Sequence, residues 1–183
     1  MSIGDVGPAG GWIFFIDEAG EHEGWTYLEA APEEAEGTEI PWGGRGTEVG
    51  VEGQGIGIGT GAANTAAIVA ALDLAGVSDE YAARFADELE VTNDGDTFSD
   101  WFLPSRDELD LMHKNLSENG IGGFFSDDNY PDYVYWSSTE IETFDDVDPE
   151  EQAFSTAFGG IFSGGNAASL KDTEYRVRAV RAY

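Results

Sequence analysis

With no cysteine and only two histidines, His22 and His113, the chain has no thiolate nucleophile or soft-metal ligand and few imidazole bases. His22 lies between Glu21 and Glu23 in a turn-like segment, which reads as an exposed side chain rather than a ligand or base. His113 follows Leu109 by four and reads as a residue on the edge of a packed helix. No G-x-S-x-G is present, so the sequence pairs no nucleophile with a base. Carboxylates are plentiful at Asp127-Asp128, Asp132 and Asp145-Asp146-Val147-Asp148; a loose cation site is conceivable there, but in so acidic a chain such clusters read as solvated loops. The glycine-rich segment G-Q-G-I-G-I-G-T-G at 53–61 precedes a helix, yet it matches neither dinucleotide nor P-loop spacing and has no lysine. It reads as a bracing loop. These residues therefore imply no catalytic group, no cofactor and no metal.

The remaining candidate is a surface. Residues 153–170, A-F-S-T-A-F-G-G-I-F-S-G-G-N-A-A-S-L, carry no charge in a chain that is 25% charged, and they mix Phe and Ile with Gly, Ser and Asn as recognition surfaces do. A buried hairpin is the plainer reading. The other long uncharged run, 53–72, is explained by a Gly-rich loop and an alanine-rich helix. The residues expected to face a partner are Ser155, Ala157, Gly159, Gly160, Phe162, Ser163, Gly164, Gly165, Asn166, Ala167, Ser169 and Asp172, supported from beneath by Phe154, Phe158, Val177 and Val180.

The 37 acids against 8 Lys plus Arg give a formal charge of −29, which repels phosphate backbones and anionic membranes. Nucleic acid and membrane insertion are thereby excluded as expectations, and solubility in a saline medium accounts for the acidity. At 183 residues, 41% hydrophobic and 13% aromatic, the chain can bury the core of one domain, expected to be a monomer. The start, M-S-I-G-D, shows no basic region of a secretory signal.

Two apolar segments, 11–17 and 24–31, predict a hairpin across E-A-G-E-H-E-G. Residues 32–61 read as a long loop pinned by Trp42. A helix capped by Asn64 or Thr65 should run to Ala75 and stop at Gly76. A second should open at Ser78 with Tyr81, Phe85 and Leu89 as its apolar stripe. Ser105 and Glu108 form a capping box for a third, whose buried face is Leu109, Met112 and Leu116 and whose stop is Gly120. Strands follow at 134–139, with Trp136 as a core anchor, and at 153–158; Gly159-Gly160 and Gly164-Gly165-Asn166 are turns, and Val177 and Val180, three apart, demand a bulge near Ala179. Arg176, Arg178 and Arg181 should pair with acids. The order strands, helices, strands predicts α+β: two or three helices packed on short antiparallel sheets, with the N- and C-terminal strands near each other.

Three signatures in order, D-W-F-L-P-S-R-D-E-L at 100–109, Y-W-S-S-T-E at 135–140 and Y-R-V-R-A-V-R at 175–181, resemble C-type-lectin-fold domains related to formylglycine-generating enzymes, and I-G-T-G-A-A-N-T-A-A-I-V-A-A at 58–71 is similar to a further stretch of that group. A variable segment followed by V-R-A-V-R looks like the target-binding variable protein of a diversity-generating retroelement. The resemblance implies a C-type lectin-like fold and a non-enzymatic surface at about 153–172, diversified by an error-prone reverse transcriptase. Its partner would be a protein or glycan, and its place a virion or cell surface. In that system Asn codons spread over residues other than Trp, Met, Gln, Glu and Lys. These types make up roughly a sixth of the chain, so about three would be expected in 153–170 by chance, and none occurs. Glu142, Glu150, Glu151 and Gln152 break the rule, so 140–151 lies outside the fully diversified part, and Lys171 and Glu174 read as fixed. The copper-dependent activity of the enzymatic relatives needs cysteine, which is absent, and the E-P-N, Q-P-D and W-N-D triplets of calcium-dependent sugar binding do not occur. A fixed surface or structural domain of the same fold, or a hydrolase using acidic residues, are the competing readings.

Overall fold

A computed structural model describes residues 1–142 and 148–183. The two apolar N-terminal segments become strands β1 (Trp12–Ile16) and β2 (Tyr27–Ala30), an antiparallel pair. The stretch read as a continuous loop contains a strand, β3 (Gly37–Pro41), whose composition gives little sign of it. It exists because a later strand supplies its partners, with Ile40 opposite Tyr175 and Gly37 opposite Val177, and such pairing outweighs propensity. Trp42 is fully buried and donates its indole N–H to the Ser137 carbonyl at 2.9 Å, so it pins this stretch as expected.

Helix α1 (Gly61–Leu74) begins ahead of its expected caps, with Thr60 at the N-cap, and Gly76 ends it at φ 78°. Asn64 and Thr65 are buried ties instead. Asn64 donates to the Gly55 carbonyl at 2.6 Å, and the Thr65 hydroxyl accepts the Leu103 amide at 3.0 Å. Helix α2 (Ala82–Asp87) is only six residues long, because Tyr81 is its cap rather than its first stripe residue. Tyr81, Phe85 and Leu89 nonetheless all pack on the core. The pair β4 (Val91–Asn93) and β5 (Asp96–Phe98) forms a hairpin, not expected from the alternation of apolar residues, whose turn residues Asp94 and Gly95 both have positive φ; the Asp-Gly pair is the sequence signal for it. In α3 (Arg106–Asn115) the capping box forms: the Ser105 amide donates to the Glu108 carboxylate at 2.7 Å, and the Glu108 amide to the Ser105 hydroxyl at 3.3 Å. Leu109, Met112 and Leu116 are buried beneath it.

Five strands complete the chain: β6 (Val134–Glu140), β7 (Gln152–Ala157), β8 (Asn166–Leu170), β9 (Glu174–Val177) and β10 (Val180–Ala182). The larger sheet has the order β3-β9-β6-β7-β8, and the smaller β1-β2-β10, which brings the first and last strands to either side of β2. The larger sheet is mixed, because β6 and β9 run parallel at Tyr135 and Arg176; the expectation of antiparallel sheets alone is corrected here. Every residue of β6 is buried, and its alternation divides the interior. Val134 and Trp136 join Trp42, Ile68, Leu72, Tyr175 and Val177 on one side. Tyr135 joins Phe14, Leu109, Met112, Phe158 and Val180 on the other. The result is α+β, with three helices and several small sheets among the described residues.

The bulge expected near Ala179 is a full break. After Val177 the chain leaves the larger sheet, and at Val180 it enters the smaller one, so both valines are buried but in different cores. The arginines bridge the junction as ion pairs: Arg176 and Arg178 both meet Glu36, and Arg181 meets Asp100 at 2.8 Å and Glu29 at 3.3 Å.

Candidate ligand-binding surface

Strands β7 and β8 are paired in register from Gln152 and Leu170 to Thr156 and Asn166, with Ser155 opposite Ala167. Directly opposed residues share a face, as do residues two apart, so Ser155, Ala157, Ala167 and Ser169 point the same way. They form one wall of a concavity of about 440 Å³, within the ~300–1,000 Å³ of small-ligand sites. Facing them are Tyr130, Tyr133 and Tyr175, and none of the lining residues is charged.

The twelve expected surface residues divide. Phe162, Ser163, Gly164, Gly165, Asn166, Ala167 and Asp172 are exposed and Gly160 is half-buried. Ser155, Ala157, Gly159 and Ser169 are buried, which corrects the expectation of exposure at those four. β7 lies inside the sheet between β6 and β8, so its side chains are covered even where the alternation aims them at the concavity; Ser155 spends its hydroxyl on that of Ser169 at 2.8 Å. Gly159 is a close-approach glycine: a Cβ there would fall 2.6 Å from the Ser126 carbonyl oxygen. Asp172 is exposed but engaged, 2.6 Å from Arg45 and outside the concavity. Phe158, Val177 and Val180 are buried support as expected. Phe154 is not; it is half-buried on the opposite face of β7, with the Arg106 guanidinium over its ring at 5.4 Å.

Several surface residues escaped the sequence reading. Ile161, 91% exposed, stands on a tight turn (160–162) at the tip between β7 and β8, and Leu170 is 41% exposed on the outer strand. The glycines around Ile161 were the available signal, since turn residues on both sides leave an apolar residue nowhere to bury. Tyr130 and Tyr133 lie in D-D-N-Y-P-D-Y, where two aromatics in a Pro/Asp/Asn loop mark a surface feature. Tyr175 gave no separate signal because it also serves the core.

His113 is buried, not a boundary residue. Its ring lies edge-on to Phe158 with centroids 5.0 Å apart, and Nε2 is 2.9 Å from the Ser163 hydroxyl, a nucleophile–base contact that the sequence did not pair. Burial pulls the His113 pKa down, opposed by Glu118 and Asp110, so the imidazole is held neutral. The geometry stops short of a catalytic triad. Glu118 lies 3.7 Å from Nδ1, beyond hydrogen-bond reach, and the nearby Gly164 and Gly165 amides are already committed to the Ala157 and Phe162 carbonyls. The contact anchors the displayed loop to α3. Asn166 does the same, donating to Asp110 at 2.8 Å and accepting from Thr156 at 2.8 Å.

His22 is half-buried and stacked on Trp25 at 4.4 Å, not freely exposed. The Gly-rich loop braces α1 and α3, with the Gly59 amide donating to Glu108 at 2.7 Å and the Gly55 carbonyl accepting from both Asn64 and Thr139. Asp145, Asp146 and Val147 lie outside the described residues; among the described ones no group of three or more histidine and carboxylate side chains is placed to hold a metal ion. Among them, too, no helix is long and apolar enough to cross a membrane. In comparisons with known proteins, no protein-family model and no curated protein matches the chain.

Proposed function

We propose that the protein is a non-enzymatic ligand-binding protein that presents an exchangeable surface, at about 153–172, on a C-type lectin-like scaffold, as the variable protein of a diversity-generating retroelement does. The observation that carries this reading is an uncharged concavity on a molecule of formal charge −29. On so acidic a chain a concavity without charge favours contact with a partner over solvation. The exposed members Phe162, Ser163, Gly165, Asn166 and Ala167 sit on the outermost strand and its loop, where substitution disturbs the fold least. The partner is a protein or glycan, and the setting a virion or cell surface.

A fixed surface domain of the same fold is the second reading, and the commitment of Asn166 to Asp110 and Thr156 favours it. Sequencing the locus across a population separates the two. Variation confined to the exposed part of 160–170, beside a reverse-transcriptase gene and a template repeat, is the expected result; a uniform sequence there leaves the fixed domain.

A further inference from the structure

The concavity has one wall outside the uncharged run, and that wall is phenolic. Tyr130 is 66% exposed, whereas Tyr133 and Tyr175 are each only 5% exposed. The Tyr175 hydroxyl is engaged, 2.9 Å from that of Tyr130 and 3.4 Å from that of Ser169, and burial pushes its pKa up to about 12, so it stays a neutral donor and acceptor. The chain of hydroxyls continues from Ser169 to Ser155 at 2.8 Å. The Tyr133 hydroxyl is different: its ring is sealed, yet among the described residues it has no hydrogen-bond partner.

Because Tyr133 lines the concavity, a ligand seated here can pair with its hydroxyl, and a purely hydrocarbon surface laid over that hydroxyl would leave it buried and unpaired, which is unfavourable. The ligand must also carry no negative charge. No lining residue offers a counter-ion, and the adjoining depression carries Glu39, Asp132 and Glu174 against a single cation, Arg176, which is already paired with Glu36, so its balance repels anions. A pyranose ring meets both demands, because it presents flat C–H faces to aromatic rings and hydroxyls around its edge.

Resting on the ligand-binding reading above, we infer that this concavity takes the terminal ring or rings of an uncharged glycan, stacked against the exposed Tyr130 ring and hydrogen-bonded to the Tyr133 hydroxyl, without a metal ion. The tyrosines then supply a contact common to every variant of the displayed strand, and residues such as Phe162 and Ala167 select among glycans.

The test is a glycan array carrying neutral and acidic structures, probed with the intact protein in buffer containing a chelator, followed by calorimetry of the best neutral oligosaccharide. Neutral glycans should bind and acidic ones should not. Tyr133→Phe, which keeps the ring and hence the packing, should weaken binding about 3- to 10-fold with an unchanged melting temperature, the worth of one hydrogen bond. Tyr130→Ala, at an exposed position, should weaken it by about the same factor through lost stacking. Binding only to acidic glycans, binding that requires calcium, an unaltered affinity in Tyr133→Phe, or no glycan binding at all overturns the inference. A blank array together with variation confined to the exposed strand and loop removes the sugar and leaves the exchangeable surface standing; a uniform locus removes the latter alone.

Discussion

Lys171 and Glu140 form an ion pair at 2.7 Å with both side chains wholly buried. The ammonium also donates to the Thr47 carbonyl at 2.8 Å and lies 4.5 Å from the centre of the Trp42 ring, while the carboxylate accepts the Val49 and Gly50 amides, each at 2.8 Å. Burial pulls the lysine pKa down, and Glu140 opposes that shift. Because Lys171 directly follows β8, the pair ties the end of the displayed strand to the central strand. Lys171→Met strands a carboxylate in the interior and should cost about 3–5 kcal/mol, measured by urea unfolding. A loss under about 1 kcal/mol would mean that solvent reaches Glu140.

Position within the sheet sets what each site tolerates. Ala167→Ser on the outer strand should change stability by no more than about 0.5 kcal/mol. Its cross-strand partner behaves otherwise: Ser155→Tyr breaks the 2.8 Å hydroxyl pairing with Ser169 at a buried position and should cost about 1–3 kcal/mol. Gly159→Ala, aimed at the Ser126 carbonyl, should cost a similar amount. Chemical denaturation of the three variants should give this order, and equal tolerance at Ser155 and Ala167 would contradict the burial described.

His113 makes a signed contribution to pH dependence. Its folded pKa lies below the ordinary 6.5, so the unfolded chain takes up the proton first as pH falls. The associated stability is therefore full above about pH 6.5 and is lost as pH drops through the lower folded value. Many carboxylates titrate as well, so the informative quantity is the difference in unfolding free energy between wild type and His113→Gln, which should change over this interval. A constant difference would show that the imidazole is as well hydrated folded as unfolded.

Among the described residues every cationic side chain except Lys114 is in an ion pair, which leaves most of the 37 acids facing one another across solvent. Raising ionic strength from about 0.1 to 1 M shortens the screening length from about 10 to 3 Å and should relieve that repulsion. The melting temperature should climb steadily with NaCl over this range. A flat response would place the acids too far apart to matter.

Local chemistry was the legible part of the sequence. The Ser105–Glu108 capping box, the Gly76 stop, the Trp42 and Trp136 anchors and the first hairpin each depend on neighbours within a few residues or on a strong hydrophobic demand. β3 was not legible, because its pairing comes from residues more than 130 positions away. Asn64 and Thr65 misled for a related reason: the residues that cap helices also make good buried ties, and only the fold decides between the two uses. Within the candidate site, alternation correctly gave the shared face of Ser155 and Ala167 but not which strand lay inside the sheet, so exposure came out right for one and wrong for the other. The tyrosine wall depends on two distant segments converging, 130–133 and β9, which no short pattern encodes.

The break between Val177 and Val180 has a consequence for how the molecule is made. Residues 174–182 complete both sheets, and on the ribosome they emerge after everything they join. Until then β2 lacks β10, β3 lacks β9, and Glu36 awaits Arg176 and Arg178. The nascent polypeptide should thus remain open and vulnerable to proteases until residues 174–182 have emerged, closing in a single step once this stitch is available.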